Sequence, residues 1–175
     1  VDQASSDWIL ILDADEEISP ALRAEIGRAI SAPDAPAAFS MPRRNFYFGS
    51  WLRHGGKYPD RQLRLFRSGK ASFPCLDVHE RLKVDGTVGA LAEPLDHYPY
   101  NNAAELLRKM DFYSGVKAGR ALSGGRPVSL ARAVRRFFSG YALRLGFLDG
   151  PQGLVSAVAD LFSECLACLK VWEKK

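Results

Sequence analysis

The chain has 175 residues, 47% hydrophobic and 25% charged, which suits a folded domain with its own core and excludes a disordered or fibrous polymer. The net charge of +4 is unevenly spread: residues 1–100 hold 12 Lys/Arg against 14 Asp/Glu, and residues 101–175 hold 12 against 6. The first part therefore suits metal or acid chemistry and the second an anionic partner.

Asp7 to Glu17 is the stretch around which the rest of the chain is organised. Trp8 to Leu12 is a short apolar run that predicts a strand covered on both faces. It delivers Asp13, Asp15, Glu16 and Glu17 within five residues, where open α/β sheets place ligand sites. A hard divalent cation would relieve the mutual repulsion of these acids. Equally, they suit a solvated loop before a helix, and Glu16 and Glu17 suit that better. A parallel strand so close to Val1 needs neighbours, so the natural protein is expected to continue upstream.

Ser19 and Pro20 open a helix whose apolar face is Leu22, Ile26, Ala29 and Ile30. Ala37 to Met41 predicts a second strand. Arg43 to Gly56 is basic, aromatic and closed by a glycine pair. It suits a loop over a ligand, although Phe46 and Phe48 suit packing between strands as well. Pro59 to Arg67 alternates, with Leu63 and Leu65 opposed to a face of Gln62, Arg64 and Phe66. Arg81 to Leu91 around Asp85-Gly86 predicts a hairpin, and Leu95 to Tyr100 ends the β-rich part.

The rest predicts helices. Asn102 and Glu105 form a capping-box variant, with Leu106, Met110, Tyr113 and Lys117 on one stripe. Ser129 caps a second helix bearing Leu130, Val134, Phe137, Phe138 and Tyr141 on one side and Arg132, Arg135, Arg136 and Arg144 elsewhere. A third runs from Pro151 with Leu154, Val158, Leu161, Phe162, Cys165, Leu169 and Trp172 as its apolar stripe. The basic aromatic stretch 126–144 suits an anionic membrane surface or packing on the preceding domain equally. Cys165 and Cys168 are spaced like a redox motif but lie mid-helix on an apolar stripe, so core packing is expected. Three cysteines make no disulfide framework, which suggests a reducing compartment. No run approaches the roughly 18–20 apolar residues that span a bilayer, no signal peptide is visible, and nothing resembles a nucleic-acid-binding module.

Five segments together carry a resemblance: Asp7-Trp-Ile-Leu-Ile-Leu-Asp-Ala-Asp-Glu, Tyr58-Pro-Asp-Arg-Gln-Leu-Arg-Leu-Phe-Arg, Val78-His-Glu80, Leu95-Asp-His97 and Tyr141-Ala-Leu-Arg-Leu-Gly-Phe-Leu-Asp-Gly150. In this order the chain resembles the family 2 glycosyltransferases of the GT-A fold, in the bacterial branch that includes lipopolysaccharide core β-glucosyltransferases. The resemblance implies an α/β class, a partial GT-A (Rossmann-like) mixed sheet with flanking helices over residues 1–100, and a basic helical extension over 101–175. It implies inverting transfer from a nucleotide-diphospho-sugar, UDP-linked, to a cell-envelope glycolipid, in the cytoplasm or at the inner face of the membrane. Asp15 would hold Mg²⁺ or Mn²⁺, Asp13 would lie beside the ribose or the metal, and His97 would be a further ligand or a diphosphate contact.

His97 equally suits packing at a strand end. Glu80 would be the general base, with Asp77 the second candidate and His79 an orienting residue. Asp60, Arg61 and Arg64 would line the site, although Asp60 and Arg61 equally suit a structural ion pair. The resemblance implies that the first βαβ unit of the fold would lie upstream of these residues. Two rivals stand beside this reading: a non-catalytic remnant that binds membrane or a partner through its helical tail, and a metal-dependent phosphate-ester hydrolase.

Overall fold

The computed structural model describes residues 5–72 and 82–174. The chain divides into two compact units, residues 1–44 with 59–97 and residues 45–58 with 98–175. The elements are those of the expected α/β class, a mixed sheet with helices followed by a helical extension.

In the first unit, β1 (Trp8–Leu10) leads through a turn to β2 (Glu16–Ile18) and helix α1 (Pro20–Ile30). Ser19 caps α1 as expected, its hydroxyl accepting from the Leu22 N–H at 3.1 Å. Strand β3 (Ala38–Tyr47) runs well past the expected end and finishes in the second unit, where a short β4 (Ser50–Leu52) pairs back on it. Then come β5 (Asp60–Arg67), β6 (Ala71–Ser72), β7 (Lys83–Val84), β8 (Val88–Ala90) and β9 (Leu95–Tyr100), whose last residues also belong to the second unit. The sheet order is β1-β5-β3-β9-β2, antiparallel at β1·β5, β3·β5 and β2·β9, with β8 alongside β3 in parallel.

Helix α1 covers this sheet through Leu22, which packs with Phe39, Met41, Leu65, Leu91 and Leu95. Full burial of side chains of this size stabilises by about 1.5–3 kcal/mol each.

Three expectations change here. Strand β1 is not a doubly covered parallel strand: it is a half-buried antiparallel edge, with Trp8 against Phe39 at 5.7 Å and Leu12 exposed. The face of β5 expected to be polar carries Gln62 and Arg64 but also Phe66, which is wholly buried. The hairpin around Asp85-Gly86 does not form. Lys83–Val84 pairs with Ala71–Ser72 and Val88–Ala90 with Ala38–Ser40, because each strand finds a longer-range partner. The Asp85 N–H donates to the Lys70 carbonyl at 2.9 Å, and the Lys70 ammonium pairs with Asp85 at 3.2 Å.

In the second unit the expected ligand loop begins as a hairpin. Phe48 and Gly49 both take positive φ, 51° and 78°, the backbone of a two-residue turn whose twist matches its strands. Phe46 stacks on Tyr98 at 4.9 Å, so it packs between strands. Helices α2 (Ala103–Leu122), α3 (Leu130–Phe138) and α4 (Gly150–Trp172) come next, with a π turn (Ser139–Leu143) and a 3₁₀ turn (Gly146–Asp149) before α4. Asn102 and Ser129 cap as expected.

The expected stripe of α2 holds at Leu106 and Met110, whereas the packing faces of α3 and α4 differ from those expected. Helix α2 buries Leu106, Met110, Ser114 and Ala118, α3 buries Ala133, and α4 buries Gly153, Ser156, Ser163 and Ala167. Leu130, Phe138, Leu154, Val158, Phe162 and Leu169 are exposed. The helices approach through small residues, which lets their backbones come close. Among the described residues no helix is long and apolar enough to cross a membrane.

Candidate active site

The site is assembled at the turn between β1 and β2. The Glu16 N–H donates to the Asp13 carbonyl at 3.0 Å, so Asp13 to Glu16 is a tight turn with Asp at its favoured first position. Strand alternation then turns Glu16 inward and Glu17 outward. Glu16 is buried, contrary to the solvated position expected of it. Its carboxylate accepts from the Asp13 N–H at 3.1 Å, Arg43 Nη1 at 3.2 Å and Arg64 Nη2 at 2.6 Å. Arg64 also donates to Asp13, and Arg43 donates twice to Asp60 at 3.0 and 2.6 Å.

These five side chains form one line of alternating charge, Asp60–Arg43–Glu16–Arg64–Asp13. Burial pulls the Arg64 guanidinium pKa down, but hydrogen bonds and charge from Glu16, then Asp13, outweigh this and leave it raised. A buried acid between two guanidiniums holds a geometry rigidly, since either charge left alone would be costly.

This network fixes the geometry beside it. Glu16 pairs across the sheet with His97, so Asp15 meets His97 at the same level, with Nε2 and Oδ1 3.5 Å apart. Two donors each about 2.1 Å from one cation stand about 3.0–3.5 Å apart at octahedral or tetrahedral angles. The pair therefore fits two positions of one coordination sphere, and Asp15 is part-exposed at 29%. Among the described residues no three His, Cys, Asp or Glu side chains converge on one point. A Mg²⁺ or Mn²⁺ ion held by one or two protein ligands and completed by substrate phosphates and water needs no third. The Asp13 carboxylate is turned onto Arg64 but is 54% exposed. Behind His97, Arg44 grips Asp96 through two bonds of 2.5 and 2.8 Å.

The structure thus brings together Asp13, Asp15, His97, Asp60 and Arg64 of the expected residues. Arg61 lies elsewhere: its guanidinium donates to the carbonyls of Ser40 and Leu91 at 3.1 and 2.9 Å, which ties β5 to its neighbours. The partner of Asp60 is Arg43 and not Arg61. Asp77, His79 and Glu80 lie outside the described residues. Glu16 and Arg43 were missed as site residues, although the alternation Glu16-Glu17-Ile18 carries the signal for an inward Glu16.

No protein-family model matches the chain, and no solved structure matches it. Curated proteins do. A lipopolysaccharide core biosynthesis glycosyltransferase, LpsC of Rhizobium meliloti (strain 1021), is 29% identical over 99% of this chain and 67% of its own length. Uncharacterised glycosyltransferases of Rickettsia conorii and Rickettsia typhi are 24% and 26% identical over 96% of this chain, and 65% and 63% of theirs. The chain spans about two thirds of the length of these curated relatives. Along nearly all its residues the chain is therefore a relative of bacterial glycosyltransferases and resembles one that serves lipopolysaccharide core biosynthesis.

Proposed function

We propose that the chain is the larger part of an inverting, metal-dependent glycosyltransferase that moves a sugar from a UDP-linked donor to a cell-envelope glycolipid of the lipopolysaccharide core type. The observation that carries this reading is the Asp15–His97 pair, set by a buried charge network in a chain that aligns throughout with glycosyltransferases. Asp15 and His97 would hold a Mg²⁺ or Mn²⁺ ion, which when bound supplies charge stabilisation to the departing diphosphate. Asp13 would lie beside the ribose or the metal, and Arg64, which pairs with Asp13, would stand there as a fixed positive charge. The base that takes the acceptor proton would be Glu80, with Asp77 as the alternative and His79 orienting either.

A place at the inner face of the cytoplasmic membrane, on anionic lipid, is supported by the helical unit, where Phe138, Leu143 and Trp172 are 60%, 81% and 74% exposed. The same surface is the observation that favours the rival, a remnant that only binds membrane.

Calorimetric titration of the chain with UDP in Mn²⁺, beside Asp15→Ala, tests the donor site. The expected outcome is Mn²⁺-dependent binding that weakens at least tenfold in the variant, about 1.4 kcal/mol. Binding indifferent to both Mn²⁺ and Asp15 would overturn the site assignment. Where transfer is measured, Glu80→Gln should abolish it, and a binder without catalysis would show no transfer for the variant to lose.

A further inference from the structure

A cavity of about 330 Å³ lies wholly within the helical unit. Its walls carry five arginines, Arg126, Arg132, Arg135, Arg136 and Arg144, together with Lys57. Two aspartates also line it, and both are already engaged. Asp149 accepts from the His54 N–H at 2.8 Å and meets His54 Nδ1 at 2.7 Å, and Asp160 pairs with Lys57 at 2.7 Å. Among the described residues, no ion pair engages Arg126, Arg135, Arg136 or Arg144.

The walls are held in place. The Asp149 carboxylate is 5% exposed and clamps the His54 loop at two atoms. The Gly55 N–H donates to the Arg144 carbonyl at 2.9 Å. A Cβ on Gly153 would stand 2.0 Å from the Gly146 carbonyl oxygen, so α4 touches the 3₁₀ turn directly. The Tyr141 to Gly150 segment singled out in the sequence is thus one wall of this cavity.

Several guanidiniums sharing one concavity whose two acids are already engaged by His54 and Lys57 repel one another, and a multivalent anion relieves that repulsion. Guanidinium forks match phosphate oxygens in pairs. A second observation points the same way. Ser156 lines the cavity at 2% exposure, and its hydroxyl is buried without a hydrogen-bond partner in the described structure. Buried hydroxyls are ordinarily satisfied, and this one is free to donate to a phosphate oxygen. Phe137 and Tyr141, stacked at 5.7 Å, add an aromatic wall for whatever carries the phosphate.

We propose that this cavity is a binding site for a phosphate ester or diphosphate group. It includes neither Asp15 nor His97 and does not depend on their holding a metal. The group could belong to a lipid headgroup or to a soluble phosphorylated ligand, and the shared chemistry is the phosphate.

The test is calorimetry of the full chain with inorganic pyrophosphate in chloride buffer containing EDTA, so that a cation site contributes nothing. Saturable binding is expected. Arg135→Gln with Arg136→Gln should weaken it at least tenfold. Ser156→Ala should weaken it several-fold without lowering Tm, because that hydroxyl bonds to nothing else. Arg23→Gln with Arg28→Gln, the same charge change on exposed positions of α1, should leave it unaltered.

Flotation with vesicles carrying phosphatidic acid, against vesicles carrying phosphatidylglycerol, distinguishes the sources. Preference for phosphatidic acid that pyrophosphate competes away identifies a headgroup site, and pyrophosphate binding without that preference identifies a soluble ligand. Absence of saturable binding to either probe, or equal weakening by the α1 pair, would overturn the proposal.

Discussion

Glu16 shows how much one side chain decides here. Its carboxylate is wholly enclosed and touches both Arg43 and Arg64, while Glu17 beside it is exposed. Removing one partner of a buried charge network strands the others, at a cost of about 3–5 kcal/mol. Glu16→Ala is therefore expected to lower unfolding free energy by about 3 kcal/mol, and Glu17→Ala to change it by less than about 0.5 kcal/mol. Chemical denaturation of both variants checks this, and equal effects would contradict the inward placement of Glu16. Because the network orients the turn, Glu16→Ala should also loosen the Asp15–His97 pair.

Among the elements, α4 carries the sharpest contrast between sequence and structure. Its large apolar residues predict a core face, yet Leu154, Val158, Phe162 and Leu169 are exposed while Gly153, Ser156, Ser163 and Ala167 are buried. The reason is steric: α2 and α3 approach α4 closely, and only small side chains fit between backbones at that distance. Gly153 lies against the 3₁₀ turn, where an added Cβ would meet the Gly146 carbonyl oxygen, so Gly153→Ala should lower stability by about 3 kcal/mol, the upper range for overpacking. Gly119→Ala in α2 has open space around the new methyl group and should raise stability by about 0.5–1 kcal/mol, the usual helix preference of Ala over Gly. Thermal unfolding of the pair gives opposite signs if this packing is right, and the same sign if it is not.

At the scale of the whole chain, charge and apolar surface coincide. Residues 101–175 carry 12 Lys/Arg against 6 Asp/Glu, and the same stretch exposes Phe138, Leu143 and Trp172. Basic charge with exposed apolar side chains favours the interface of an anionic bilayer. Partition onto phosphatidylglycerol vesicles is expected, weakening as salt rises from about 0.1 to 0.5 M because screening shortens the reach of the charges. Phe138→Ser with Leu143→Ser should reduce it about tenfold, the loss of roughly 1.4 kcal/mol of apolar contact. Co-sedimentation that ignores both salt and the substitutions would exclude the membrane as a partner of this surface.

The sequence by itself determined the α/β class, the helix starts at Ser19, Asn102 and Ser129, and the uneven charge. Caps and alternation are local chemistry, so they survive in one dimension. Tertiary structure decided what depends on distant partners. Only the sheet register sets Glu16 between Arg43 and Arg64 and pairs Asp60 with Arg43 instead of its neighbour Arg61. Only close helix packing turns the large apolar residues of α3 and α4 outward. The arginine cavity is the clearest case: its residues come from segments near positions 54, 126, 136, 144 and 156, and no spacing along the chain announces that they share one wall-to-wall space.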